Sequence, residues 1–114
     1  MTQEWKLKTL TSLGFKQTDA QVYIFLSKNR RQKAADIVQT LGLTKRQVYR
    51  SLKSLREKGV LRVIGKRPAK FLAVPLDNAL EVFKNARERE ASYIEYNKKE
   101  ILAIWQDLIG NINQ

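Results

Sequence analysis

The chain has no cysteine and no histidine, only two prolines, and no long apolar run. Without cysteine there is neither a disulfide framework nor a thiolate metal site, and the composition suits a reducing compartment. Without histidine the commonest general base and metal ligand is missing. No nucleophile–base pair, phosphate-binding loop or metal-ligand spacing takes its place, so neither an enzyme nor a bound cofactor or metal is expected. No apolar stretch approaches the ~20 residues of a membrane span. The N-terminus, MTQEWKLKTL, lacks a signal-peptide core. The expectation is a soluble, cytoplasmic protein.

Acid is scarce as well: 11 Asp and Glu face 22 Lys and Arg over 114 residues, for a net charge of +11. The deficit is local. Residues 1–75 carry 17 Lys and Arg and 4 Asp and Glu, net +13, whereas residues 76–114 carry 5 and 7, net −2. Such asymmetry implies a polyanion-binding module over 1–75 joined to a segment, 76–114, with another job.

What is present is a series of short helical patterns with stops between them. Trp5, Leu7, Leu10 and Leu13 predict a helix over 4–13, ended by Gly14. Thr18-Asp19-Ala20-Gln21 has the form of a capping box with Thr18 at the N-cap, opening a helix that runs to about Lys28. KNRRQ is a polar connector. Ala34, Ile37, Val38 and Leu41 then recur at helical spacing over about 33–41. Gly42 follows, at the place where a left-handed C-cap favours glycine. Thr44-Lys45-Arg46-Gln47 is a second capping box, so the next helix starts after a tight turn and crosses its predecessor steeply. Val48, Leu52 and Leu55 form its apolar stripe, and Gly59 closes it near Lys58. VLRVI (60–64) and KFLAV (70–74) read as a hairpin with a basic tip, and Pro75 stops the second strand. Asp77 is a good N-cap for a helix that meets no Gly or Pro before Gly110, ~48 Å at 1.5 Å per residue. The expected fold class is mainly α with a small β-hairpin: a winged helix-turn-helix domain plus a long C-terminal helix.

Within that order the stretch GLTKRQVYRSLKSLREKG is lopsided, with six cations against a single acid, Glu57. Burying Val48, Leu52 and Leu55 turns Arg46, Arg50, Lys53 and Glu57 outward as a ridge, flanked by Lys45, Gln47, Tyr49 and Ser54. A major groove admits such a helix, and Arg, Lys and Gln can read base edges there. Arg46, Gln47 and Arg50 are the expected base readers. Lys45, Tyr49 and Lys53 are expected on phosphates, which position without specifying sequence. Thr44 opens this DNA-binding segment. Two of these have competing structural roles: Gln47 as the N3 member of the capping box, and Tyr49 packed on the second helix, the one that runs to about Lys28. Arg56 and Lys58 lie in the last turn, where cations complement the helix dipole. In the wing, Lys66 and Arg67 beside Pro68 suit the minor groove or the flanking backbone. Arg30, Arg31 and Lys33, ahead of the short helix, are candidate backbone contacts.

The runs LTSLGFKQTDAQVYIFL, AADIVQTLGLTKRQVYRSLKSLREKGVL and KRPAKFLAVPLDNAL resemble, in order and spacing, the winged-helix domain of the TrmB family of transcriptional regulators, over about residues 10–80. The resemblance implies DNA binding through the recognition helix and wing, usually as a dimer, on Arg46, Gln47, Tyr49, Arg50, Lys66 and Arg67. Larger members continue into a sugar-binding domain. With a single helix after the wing, no sugar effector is expected here.

The tail changes character along its length. Leu80, Val82, Phe83 and Ala86 suit docking on the winged domain, and RERE (87–90) reads as a solvated connector. Beyond it Ile94, Ile101, Ile104, Trp105, Leu108 and Ile112 form a stripe of about two coiled-coil heptads. A homodimer through these residues would bury them and present two recognition helices to half-sites about one turn (~34 Å) apart. Folding back on Trp5, Leu7 and Leu10 is the alternative. Double-stranded DNA and a second copy are thus the expected partners, and a nucleoid-associated location follows. The leading reading, a dimeric sequence-specific regulator, competes with two others. One is an architectural or genome-maintenance DNA-binding protein with little sequence preference; the other is a winged helix used as a protein-interaction module. The +13 of the first 75 residues permits the architectural role. The interaction module calls for a recognition face apolar or mixed in charge, which residues 45–53 do not have. RNA is disfavoured, since no aromatic-rich strand is available for stacking bases.

Overall fold

Gly42 sits at the sharpest corner of the chain. Its backbone is left-handed (φ 66°, ψ 23°) and its N–H reaches the Val38 carbonyl at 3.0 Å, closing one helix. Two residues later the next helix starts, and Thr44 caps it: Thr44 Oγ1 accepts the Gln47 N–H at 3.1 Å while Gln47 Oε1 accepts the Thr44 N–H at 2.9 Å. Both ends of the turn are thereby satisfied without outside help.

The computed structural model describes residues 3–110. In chain order the elements are α1 (Gln3–Ser12), α2 (Gln17–Lys28), β1 (Gln32–Lys33), α3 (Ala34–Leu41), α4 (Lys45–Glu57), β2 (Leu61–Ile64), β3 (Lys70–Ala73) and α5 (Leu76–Gly110). They divide into two compact units, one ending at Ala79 and the other beginning at Leu80. Among the described residues no helix is long and apolar enough to cross a membrane.

The core of the first unit lies where α2, α3, α4 and the sheet meet. Ala20 and Val22 from α2, Ile37 from α3, Val48 and Leu55 from α4, and Val60 at the foot of the hairpin are wholly buried. Burying a Val, Leu or Ile side chain completely is worth about 1.5–3 kcal/mol, so these few positions dominate the docking of the three helices. Leu10 and Phe15 extend the core toward α1.

The sheet differs from the expected hairpin. It has three antiparallel strands in the order β1-β3-β2, with Leu61 opposite Ala73 and Ile64 opposite Lys70 in the hairpin. Gln32 pairs with Phe71 and Lys33 with Lys70, so the end of the polar connector is a strand. A two-residue strand has no periodicity to read; only its partner makes it one. Two helix starts are also revised. α2 begins at Gln17 with Lys16 as N-cap, and the Lys16 carbonyl takes the Ala20 N–H at 2.8 Å. Thr18 is therefore inside the helix rather than at its cap, and Asp19 is free to turn inward. α5 begins at Leu76, where the Pro75 carbonyl takes the Ala79 N–H at 2.9 Å, which leaves Asp77 in the first turn, where its charge suits the dipole.

One buried hydrogen bond fastens α2 to the exit of the wing: the Tyr23 hydroxyl donates to the Val74 carbonyl at 2.6 Å, and the Val74 N–H donates to the Val60 carbonyl at 3.0 Å. Burial holds the Tyr23 phenol above its ordinary value, with the Asp77 charge acting in the same direction. Tyr23→Phe should cost about 1 kcal/mol by urea denaturation near neutral pH, leaving a buried carbonyl short of a partner. Because the folded phenol holds its proton more tightly than the unfolded one, its contribution is complete below about pH 10 and is lost as pH rises beyond that. The gap between the parent and Tyr23→Phe should narrow over that alkaline range and stay constant below it.

Candidate nucleic-acid interface

α4 is amphipathic in a way that leaves little choice of orientation. Val48, Ser51, Leu52 and Leu55 are buried, and Lys45, Arg46, Arg50 and Lys53 are exposed. Neither Arg46 nor Arg50 has a hydrogen bond or ion pair to any described residue. Both guanidinium groups, with five donors each in a planar fork, are open to an outside acceptor.

The other expected contacts on this helix are more varied. Gln47 is exposed, but its carboxamide oxygen is held in the capping box by the Thr44 N–H, and the Thr44 hydroxyl is held in return. Tyr49 is 51% exposed and leans toward α3, not α2. With Lys45, Ala34, Ala35 and Val38 it lines a notch of about 290 Å³ between α3 and α4. The Lys45 ammonium stands 6.0 Å from the centre of the Tyr49 ring, within cation–π range.

Ser54, expected to flank the ridge, is half-buried and bonded to α2. Its hydroxyl donates to Asp19 Oδ2 at 2.9 Å, and Lys58 Nζ lies 3.8 Å from the same oxygen. Asp19 is only 3% exposed, so this carboxylate is a buried acceptor shared by two residues of α4 and its C-cap, one turn apart. Lys58 also sits 5.9 Å from the centre of the Phe15 ring. Asp19 thus pins the C-terminal half of α4 to α2 and fixes its roll. The signal was absent from the sequence, where Asp19 fits a local capping box equally well.

In the wing, Lys66 and Arg67 are exposed at the tip. Arg62 and Lys70 add two cations that the reading of the tip missed. Lys70 stands opposite Ile64, and Arg62 alternates with buried Leu61, which places both on the outer face of the hairpin. Simple period-two alternation along LRVI would have found Arg62. Arg30 and Arg31 are exposed in the connector ahead of β1. Lys33 is exposed as the N-cap of α3, where its own N–H goes to Asp36 Oδ2 at 3.1 Å, so an acid already occupies that helix start. Among the described residues there is no group of three or more acids that could hold a metal ion.

Residues 10–77 match the sequence profile of a family described as the sugar-specific transcriptional regulator TrmB. The chain belongs to the TrmB family. No curated protein sequence matches it. Among solved structures it is similar to TrmBL2, an archaeal chromatin protein, with a TM-score of 0.78 at 18% identity, covering 97% of this chain and 44% of that one. It is also similar to the regulator Tm0710 from Thermotoga maritima (TM-score 0.58, 17% identity, 96% of this chain and 85% of that one). A MarR-family regulator from Silicibacter pomeroyi gives a TM-score of 0.55 at 18% identity, over 95% and 80%. The chain spans less than half the length of TrmBL2. These likenesses identify the winged-helix fold, and the match over residues 10–77 places the chain in a family of transcriptional regulators.

The ridge and its support should separate cleanly in stability. Asp19→Ala leaves Ser54 and Lys58 without their shared acceptor and should cost about 1–3 kcal/mol. Arg46→Ala and Arg50→Ala touch no described partner and should stay within about 0.5 kcal/mol of the parent. Thermal denaturation of the three variants checks both expectations.

Proposed function

We propose that the protein is a dimeric, sequence-specific regulator of double-stranded DNA that lays α4 in the major groove and sets its wing against the flanking backbone or minor groove. The observation that carries this reading is the ridge of Lys45, Arg46, Arg50 and Lys53: four exposed cations on the outward face of a helix whose other face is locked in the core. Arg46 and Arg50 are the base readers in this reading, each suited to a bidentate contact with guanine. Gln47 has its carboxamide oxygen committed to the cap, so any base contact would come from its nitrogen. Lys45, Lys53 and Tyr49 serve as phosphate contacts, with Lys66 and Arg67 in the wing and Arg30, Arg31 and Lys33 beside α3. The second copy is held through Ile94, Ile101, Ile104, Trp105 and Leu108 of α5, all at least 39% exposed. Ile112, also expected in that interface, lies outside the described residues. No sugar effector enters this proposal, and the matched residues, 10–77, are those of the winged domain.

A second reading has one observation in its favour. TrmBL2 is described as a chromatin protein with a novel mode of DNA binding. If this chain resembles it in function as well as in fold, it coats DNA with little sequence preference.

Selecting duplexes from a random pool, then competing them against random duplex at fixed salt, separates the two. The regulator reading expects a ratio well above unity, in the range of about 10³ or more, and a ratio near unity would leave the architectural role. In the same assay Arg46→Ala and Arg50→Ala should each lose about 1–3 kcal/mol of discrimination at one base pair. Lys53→Ala should instead weaken selected and random duplex alike and lower the salt slope by about one.

A further inference from the structure

The second unit, from Leu80 onward, is one continuous helix whose heptad pattern extends beyond the two-heptad stripe at its end. Leu80, Arg87, Ile94, Ile101 and Leu108 fall seven apart and form one column. Phe83, Glu90, Asn97 and Ile104, three residues after each of the first four, form the other. These are the a and d columns of a coiled-coil seam running through the charged RERE stretch. Leu80, Ile94, Ile101, Ile104 and Leu108 are each 39% or more exposed, so the seam is uncovered over most of its length.

The charges in the seam select how a second copy lies on it. In a parallel pair each column meets itself, which would press Arg87 against Arg87 and Glu90 against Glu90 in adjacent layers. Two like-charged layers in a desolvated seam oppose that arrangement. In an antiparallel pair the a column meets the d column, and no like-charged layer forms. We propose, resting on the dimeric reading above, that α5 pairs with a second copy of itself in antiparallel orientation, with Leu80 of one copy facing Ile104 of the other.

Sliding the helices by whole heptads gives few registers, and side-chain character decides among them. With Leu80 opposite Ile104, Phe83 meets Ile101, and the Arg87 guanidinium meets Asn97, whose carboxamide oxygen can accept its hydrogen bond. Only Glu90 faces an apolar neighbour, Ile94, near the two-fold centre. One heptad shorter, Arg87 meets Glu90 as an opposite-charge layer, but Leu80 is set against Asn97 and Ile104 falls opposite residue 73, outside the second helix. One heptad the other way, Arg87 and Glu90 are driven onto Ile104 and Ile101. The proposed register alone pairs the apolar ends, Leu80 and Phe83 with Ile104 and Ile101, within α5. It also sets the two Leu80 positions ~36 Å apart along the rod at 1.5 Å per residue.

The chain's lack of cysteine gives a clean background for testing this. Leu80→Cys and Ile104→Cys, both at exposed positions, are made separately in the full chain, oxidised alone and as a mixture, and weighed by native mass spectrometry. Antiparallel pairing expects disulfide-linked dimers in the mixture, one chain of each variant, and little linkage in either sample alone. Linkage of either variant with itself at a level matching the mixture overturns the inference in favour of parallel pairing. A parent dimer with no mixed linkage overturns the orientation and register while leaving the dimeric reading intact. A parent that weighs as a monomer at micromolar concentration overturns both.

Discussion

The roll of α4 about its own axis is the constraint on which the rest depends. An α-helix turns about 100° per residue, so a slip of one position would drive a guanidinium toward the core and lift a leucine into water. The cost of burying an unpaired cation exceeds anything the surrounding packing could return. Val48, Ser51, Leu52 and Leu55 thus hold one side of the helix, and the cations are left facing out as a consequence of that hold. Asp19 acts as the second lock. A carboxylate inside a protein is tolerable only with partners, and here both partners come from the C-terminal part of α4, so the acid discriminates between roll angles more sharply than apolar contact can.

The same economy operates across the domain. α2 has few exposed polar duties, yet it supplies the Asp19 anchor for α4 and the Tyr23 anchor for the end of the hairpin. α4 and the wing are thereby both referred to α2. Their mutual geometry does not depend on the loop between β2 and β3, whose tip can vary in sequence without disturbing the hydrogen bond between Val74 and Val60 at its base.

Much of this was legible in the residues themselves because the signals are local. The Gly42 corner, the Thr44–Gln47 box, the apolar stripe of α4 and the two hairpin strands each depend on neighbours within a few positions, and each is found where the pattern put it. What escaped depends on distant partners. β1 exists through Phe71 and Lys70; Asp19 turns to Ser54 and Lys58, 35 and 39 positions away; Tyr49 rests against α3, where packing on α2 was the structural alternative to a phosphate contact. Ser54 illustrates the limit: helical spacing puts it at the edge of the ridge, and only a buried acceptor on another helix draws it inward.

The short strand β1 has a further mechanical meaning. By pairing with Lys70 and Phe71 it ties the tip end of β3 to the connector that leads into α3, so β3 is the central strand, flanked by β1 on one side and β2 on the other, while the Val74–Val60 hydrogen bond closes the hairpin at its base. Flanking β3 on both sides next to the tip stiffens the stalk of the wing. In the DNA-binding role proposed above, a duplex that touches the ridge and the wing together would supply part of the fit by its own bending, so flexible pyrimidine–purine steps beneath the wing would be favoured even where no side chain reaches a base.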